Sequence, residues 1–150
     1  MLTDIIAIDP GLANGCAHVR VTPDGFQIVS TTELPPIETG QWLHHAITSV
    51  VGIGSTEFVI ERFTITAKTA QNSQAPWSLE VIGQTKWIVA ERAPGHVINV
   101  QSVSDSKAAF TNDRLRKYGL WHVGGKGHAV EALRHVALFA HRQKILPQVG

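Results

Sequence analysis

A single cysteine, Cys16, stands in a chain of 150 residues. That excludes an intrachain disulfide and any zinc site built from several cysteines, and it fits a reducing compartment. Charge is sparse too: 17% of the residues are Asp, Glu, Lys or Arg, against 43% hydrophobic. This balance points to a globular chain and not a disordered one. No apolar run is long enough to span a membrane. The N-terminus lacks a basic region ahead of a long apolar core, because Asp4 and Asp9 interrupt its apolar residues. No signal peptide is expected. There are no internal repeats and no low-complexity tract. The length suits one domain, residues 1–150, with a real core.

What charge there is lies unevenly. The formal net charge is +1, yet residues 1–104 hold five Lys/Arg against nine Asp/Glu, and residues 105–150 hold eight against three. A basic final third beside an acidic first part fits a polyanion-binding surface, or a helical face with scattered, solvated charge.

Residues 4–9 read as a first strand, apolar and ended by Pro-Gly; 16–21 and 26–32 read as a second and third, joined by a Pro23-Asp24-Gly25 turn. Pro35-Pro36 breaks the chain, and helical spacing predicts a helix over 39–51. A short strand follows at 57–61, then an exposed polar loop at 64–76 and a helix over 77–92. A strand at 96–103 leads to a basic helical region at 104–118, broken near Thr111-Asn112. A glycine-rich loop at 124–127 precedes a last helix over 128–143. Strands joined by short turns and then alternating with helices give a mixed α/β sheet of five strands with helices on its faces. Its first and fourth strands are expected side by side.

Three acids stand out against this plan. Asp9 ends Ile5-Ile6-Ala7-Ile8, Glu61 ends Phe58-Val59-Ile60, and Glu131 opens a strongly apolar helix. Charged side chains at the edge of a core are usually paired or hold a metal. Carboxylates converging there point to a hard cation, and hard cations to phosphate chemistry. His128, three residues before Glu131, shares its helical face. Singly, each has a plainer reading. Asp9 suits an Asp-Pro-Gly turn, and Glu61 a surface pair with Arg62, Lys86 or Arg92. Glu131 suits the positive end of a helix dipole, and His128 an N-cap.

Ile-Ala-Ile-Asp9-Pro-Gly-Leu with its glycine-rich turn, then Val-Ile-Glu61, then His128-Ala-Val-Glu131-Ala-Leu, resembles the RuvC-type Holliday-junction resolvases. The resemblance is nearest to their short phage-encoded relatives within the RNase H-like superfamily, and it runs from residue 5 to about 140. It implies a RuvC-type, RNase H-like fold and a four-residue site of Asp9, Glu61, His128 and Glu131 that binds metal and carries catalysis. Two Mg²⁺ ions are implied, with Mn²⁺ as a substitute. The family usually has Asp where this chain has Glu131, and many members have an acid where it has His128. Imidazole is a poor Mg²⁺ ligand and a better proton carrier or Mn²⁺ ligand. Gly11 and Gly15 are expected to let the scissile strand approach the backbone after Asp9.

The resemblance also makes the loop after Glu61 a DNA-facing one, with Arg62, Lys68 and Phe63; Phe63 is either a wedge stacking on an unpaired base or a core residue. Lys107, Arg114, Arg116, Lys117 and Lys126 are expected at backbone phosphates. His44, His45, His135 and His141 read as ordinary packing or surface histidines, and Trp42, Trp87 and Trp121 as core or interface.

The function implied is metal-dependent resolution of four-way and other branched DNA by a homodimer in the cytoplasm of a bacterial or phage-infected cell, with no membrane partner. The exposed part of the helix over 77–92 is the expected dimer surface. A YqgF-like nuclease acting on RNA and a non-catalytic branched-DNA-binding protein are the alternatives.

Overall fold

In the computed structural model, which describes residues 2–50, 52, 54–71, 74–121 and 127–149, the centre of the fold is an apolar strand. β1 (Thr3–Asp9) carries Ile5, Ile6, Ala7 and Ile8, each no more than 1% exposed. A run apolar on both faces can only sit inside a sheet covered on both sides. β2 (Asn14–Thr22) pairs with it antiparallel and β3 (Gly25–Leu34) pairs with β2. β4 (Ser55–Glu61) lies parallel to β1 on its other side, and β5 (Ile98–Gln101) extends β4. The order is β3-β2-β1-β4-β5, a mixed five-stranded sheet with β1 and β4 adjacent as expected.

Side chains alternate along β1 and so feed two separate cores. Ile5 and Ala7 meet Ala17, Val19 and Val59 beneath α6 (His128–Arg142), which buries Leu133, Val136, Ala137 and Ala140 there. Ile6 and Ile8 meet Phe58 and Ile60 beneath α1 (Pro36–Val50) and α3 (Gln74–Arg92). Asp4 is on this second face, fully buried, with His18 at 2.7 Å and Arg20 at 3.2 Å. It is a satisfied structural charge.

Boundaries differ from expectation where caps decide them. α1 starts at Pro36 because proline fits the first helical position, whose N–H has no helical partner. The expected loop over 64–76 is corrected: Thr66 accepts from the Thr69 N–H and opens a short α2 (Ala67–Gln71), and α3 begins at Gln74. β5 stops at Gln101 because Ser102 caps α4 (Val103–Ala109). Thr111 then caps α5 (Asn112–Lys117), dividing the basic helical region where expected. The glycine-rich loop at 124–126 lies outside the described residues. Among those described, no helix is long and apolar enough to cross a membrane.

Gly83 sits exposed in the middle of α3 with open space where a Cβ would go. Gly83→Ala is expected to stabilise the fold by about 0.5–1 kcal/mol, seen as a raised melting temperature.

Candidate active site at the edge of the sheet

Asp9 shares its face with Ile5 and Ala7, and Glu61 shares its face with Val59, so both acids project to the side that α6 covers. Parallel pairing of Ile8 with Ile60 sets the two acids at the same end of neighbouring strands. α6 starts at this end, with His128 as its first residue. Asp9, Glu61, His128 and Glu131 thereby line one cleft of about 280 Å³, with Phe63 and Lys107 on its walls.

Two features outside the four residues build this meeting. Asn14, fully buried, accepts from the Gly11 N–H at 2.7 Å and donates to the Leu34 carbonyl at 3.0 Å. It holds the turn after β1, which leaves the Asp9 carboxylate for the cleft. Gly15, opposite Asp9 on β2, lies against the first peptide of α6: a Cβ there would fall 1.8 Å from the His128 carbonyl oxygen. The expected role of Gly15 is corrected accordingly, since it admits a helix and not a nucleic-acid strand. At Gly11 a Cβ would make only an ordinary contact.

Each carboxylate has its own partner on α6. His128 Nδ1 is 2.9 Å from Asp9 Oδ2. Glu61 Oε2 is 2.9 Å from Nε2 of His135, which is fully buried. Glu131 Oε2 faces Arg134 Nε at 3.4 Å without a hydrogen bond. Arg134 itself donates to the Phe110 carbonyl and, at 2.7 Å, to Asn112. The surface partners considered for Glu61 are thus replaced by a buried histidine. His135 is no ordinary packing residue, because it touches a candidate site acid directly. Positions 128, 131 and 135 share one helical face, a spacing that marks it in the sequence.

The α6 N-terminus is capped from a distance. His128 is not the N-cap; that position is Gly127, which has no side chain to offer. The Glu33 carboxylate at the end of β3 accepts from His128 N at 2.5 Å and Ala129 N at 3.3 Å. No local motif announces a contact across 95 residues.

Burial pushes the Asp9 carboxyl above its usual range; the His128 hydrogen bond opposes this and the negative charge of Glu61 adds to it. The hydrogen bond to Asp9 raises His128 above the ordinary 6.5, burial opposes, and the charges of Asp9, Glu33 and Glu61 reinforce it. His128 is therefore expected to titrate by NMR above pH 6.5 in the metal-free protein, and to move back toward that value in Asp9→Asn. A folded value above the unfolded one means a contribution to stability that is complete below pH 6.5 and is lost as pH rises through the raised value.

The expected DNA-contacting residues divide. Phe63 is half-buried between this cleft and a neighbouring one lined by Leu79, Ile82 and Val100. Arg62, Lys68 and Lys107 are exposed. On α5 the positive charges are set elsewhere. The Arg114 guanidinium donates to the Ala109 carbonyl at 2.6 Å and stacks on Phe110; Arg116 pairs with Asp113 and stacks on Trp121. Tyr118, at the end of α5, packs on Phe26 at the opposite end of the sheet from Asp9. Arg114, Arg116 and Lys117 do not line the cleft. Lys126 lies outside the described residues.

The donor set suits a hard divalent ion: carboxylate oxygens, one of which, Glu131 Oε2, is buried with no hydrogen-bond partner among the described residues. As the side chains stand, no group of three His, Cys, Asp or Glu among the described residues clasps a single ion. Each carboxylate is turned toward its α6 partner.

No sequence-family profile matches the chain, and no curated protein matches it in sequence. Among solved structures it is similar to Thermus thermophilus RuvC in complex with a Holliday junction substrate, with a TM-score of 0.67, 17% identity and 99% of each chain covered. It is also similar to another Thermus thermophilus RuvC structure, with a TM-score of 0.64, 16% identity, and 98% of this chain and 99% of that one covered. The fold is RuvC-type and RNase H-like.

Proposed function

We propose that this chain is a single-domain, metal-dependent endonuclease that resolves four-way and other branched DNA. The carrying observation is the convergence of Asp9, Glu61, His128 and Glu131 in one cleft of a RuvC-type fold. The solved neighbour bound to a Holliday junction supports the substrate class.

The four residues would hold two Mg²⁺ ions, or Mn²⁺ in their place. Bound divalent ions lower the pKa of water and offset the charge that develops on the phosphodiester oxygens. The chain's own residues do the rest. Burial beneath α6 keeps bulk water from Asp9, which is 5% exposed. With Nδ1 held by Asp9, Nε2 of His128 is the atom left either to meet an ion or to take and return a proton. Phe63 stands where a base unstacked at the branch could rest, and Arg62, Lys68 and Lys107 would hold nearby phosphates. Arg114, Arg116 and Lys117, which do not line the cleft, would meet the outer arms, and Lys126 a backbone phosphate.

Two symmetric cuts need a two-fold dimer. The exposed apolar side chains of α3, Trp87 at 63% and Leu79 at 48%, would supply its interface. Trp87→Glu is expected to give a monomer by light scattering and to uncouple paired cuts into single nicks. The setting is the cytoplasm of a bacterial or phage-infected cell. A non-catalytic junction-binding protein is the second reading, favoured by the hydrogen bonds that engage Asp9 and Glu61 with histidines of α6.

The test uses a labelled four-way junction, a linear duplex and an RNA hybrid, each with Mg²⁺, Mn²⁺ or EDTA. Paired, metal-dependent cuts in the junction support the proposal. Junction binding without cutting moves the reading to the binding protein, and preference for the RNA hybrid moves it to a YqgF-like nuclease.

A further inference from the structure

His135 is a fully buried imidazole on α6, held between two polar side chains. On one side is Glu61, with Oε2 at 2.9 Å from Nε2. On the other is Gln101, 3% exposed, whose Nε2 is 3.1 Å from Nδ1 and 2.9 Å from the backbone carbonyl of His135 itself. The carbonyl fixes the orientation of the amide, because a reversed Gln101 would set two oxygens against each other. The amide N–H therefore faces Nδ1, which must accept. A neutral imidazole that accepts at Nδ1 carries its proton on Nε2 and donates to Glu61.

From this chain of contacts we infer that His135 is a positioning residue for the nuclease reaction, acting through Glu61. Gln101 on β5 sets the tautomer, and the tautomer pins Glu61 Oε2 against α6. The other oxygen, Oε1, is left for the cleft. A glutamate has three rotatable bonds; tying one oxygen removes most of the conformers that a hard ion would otherwise have to select against. Packing alone would not demand this arrangement, since it leaves Gln101 Oε1 buried with no partner among the described residues. An apolar side chain would fill the same space without that penalty.

The inference rests on the nuclease reading, and the test separates the two. Mn²⁺ binding is measured by calorimetry on the full chain without DNA, and kcat and KM are measured on the four-way junction. The proteins are the wild type, His135→Leu and His135→Gln. Leu fills the volume without a donor, whereas Gln carries an N–H to nearly the same place as Nε2. His135→Leu is expected to weaken Mn²⁺ binding and lower kcat by roughly 10–100-fold, with junction KM little changed; His135→Gln is expected to recover most of both. Wild-type binding in His135→Leu overturns the inference, as does a His135→Gln protein that is no better than His135→Leu. Should His135→Leu not melt cooperatively, Gln101→Met keeps the imidazole and removes the donor to Nδ1; a loss of Mn²⁺ affinity supports the inference and no loss overturns it. A wild type that binds no Mn²⁺ and cuts nothing overturns the nuclease reading itself, and the inference with it.

Discussion

Asp9→Asn is expected to cut four-way junctions at least roughly a hundredfold more slowly than the wild type while binding them as well or better. Losing a carboxylate that holds a catalytic ion costs several kcal/mol of transition-state stabilisation, and each factor of ten corresponds to about 1.4 kcal/mol. An amide has nearly the same size and can still accept from His128, so the site keeps its shape. The same substitution is expected to raise the melting temperature in EDTA. Asp9 is buried and its carboxyl is raised, so its ionised form opposes folding when no ion is bound. For an acid raised in the folded state, stability is complete below the unfolded value of 3.8 and is lost as pH rises through the folded one. The wild type should therefore lose stability over that window and Asp9→Asn should lose less. A variant that cuts normally would remove Asp9 from the site, and one that melts lower at neutral pH would contradict the electrostatic argument.

Gly15→Ala is expected to damage both fold and activity although no reacting group is altered. The added Cβ would lie 1.8 Å from the His128 carbonyl oxygen and 2.9 Å from the Ala129 nitrogen. Both are backbone atoms, and no rotamer change moves them aside. The start of α6 must shift away from β2, carrying His128 and Glu131 with it. Overpacking of this kind costs about 1–3 kcal/mol of stability. Displacing catalytic groups by roughly 1 Å costs on the order of a hundredfold in rate. Thermal melting and junction cutting measure the two losses together. Gly11→Ala is the control, since its Cβ would make an ordinary contact 3.5 Å from the Ala13 carbonyl. Equal effects at the two glycines would count against the close approach of α6.

The elements that end in acids were legible because each combines an apolar run with one charge that the run does not explain. β1, β4 and α6 follow from that pattern, and the meeting of Asp9 with Glu61 follows from parallel pairing. Boundaries set by one hydroxyl were harder to read. Thr66 opens a short helix in a polar stretch, and Ser102 ends β5 early. The long-range partners lay further out of reach. Glu33 caps α6 from another strand, and Gln101 selects the tautomer of His135 from a third element. Such contacts depend on three-dimensional neighbours that no local period encodes. His135 is the instructive case: its spacing from His128 and Glu131 was visible, yet a histidine in an apolar helix more often packs than acts. The basic α5 shows the converse. Its charge was evident in the sequence, but Arg114 and Arg116 hold their own helix and aromatic neighbours.

The fifteen residues of α6 close the core beneath β1 and β2 and also bring His128, Glu131, Arg134 and His135 to the sheet edge. They follow β1 and β4 in the chain and so leave the ribosome after both. Until they arrive, Asp9 and Glu61 stand on a nascent sheet whose apolar side is open to water and whose acids have none of their eventual partners. A half-made chain therefore has no complete cleft, whatever DNA is nearby. Assembly of the core acts as a safety catch, since the event that makes the chain compact is also the one that completes the cleft.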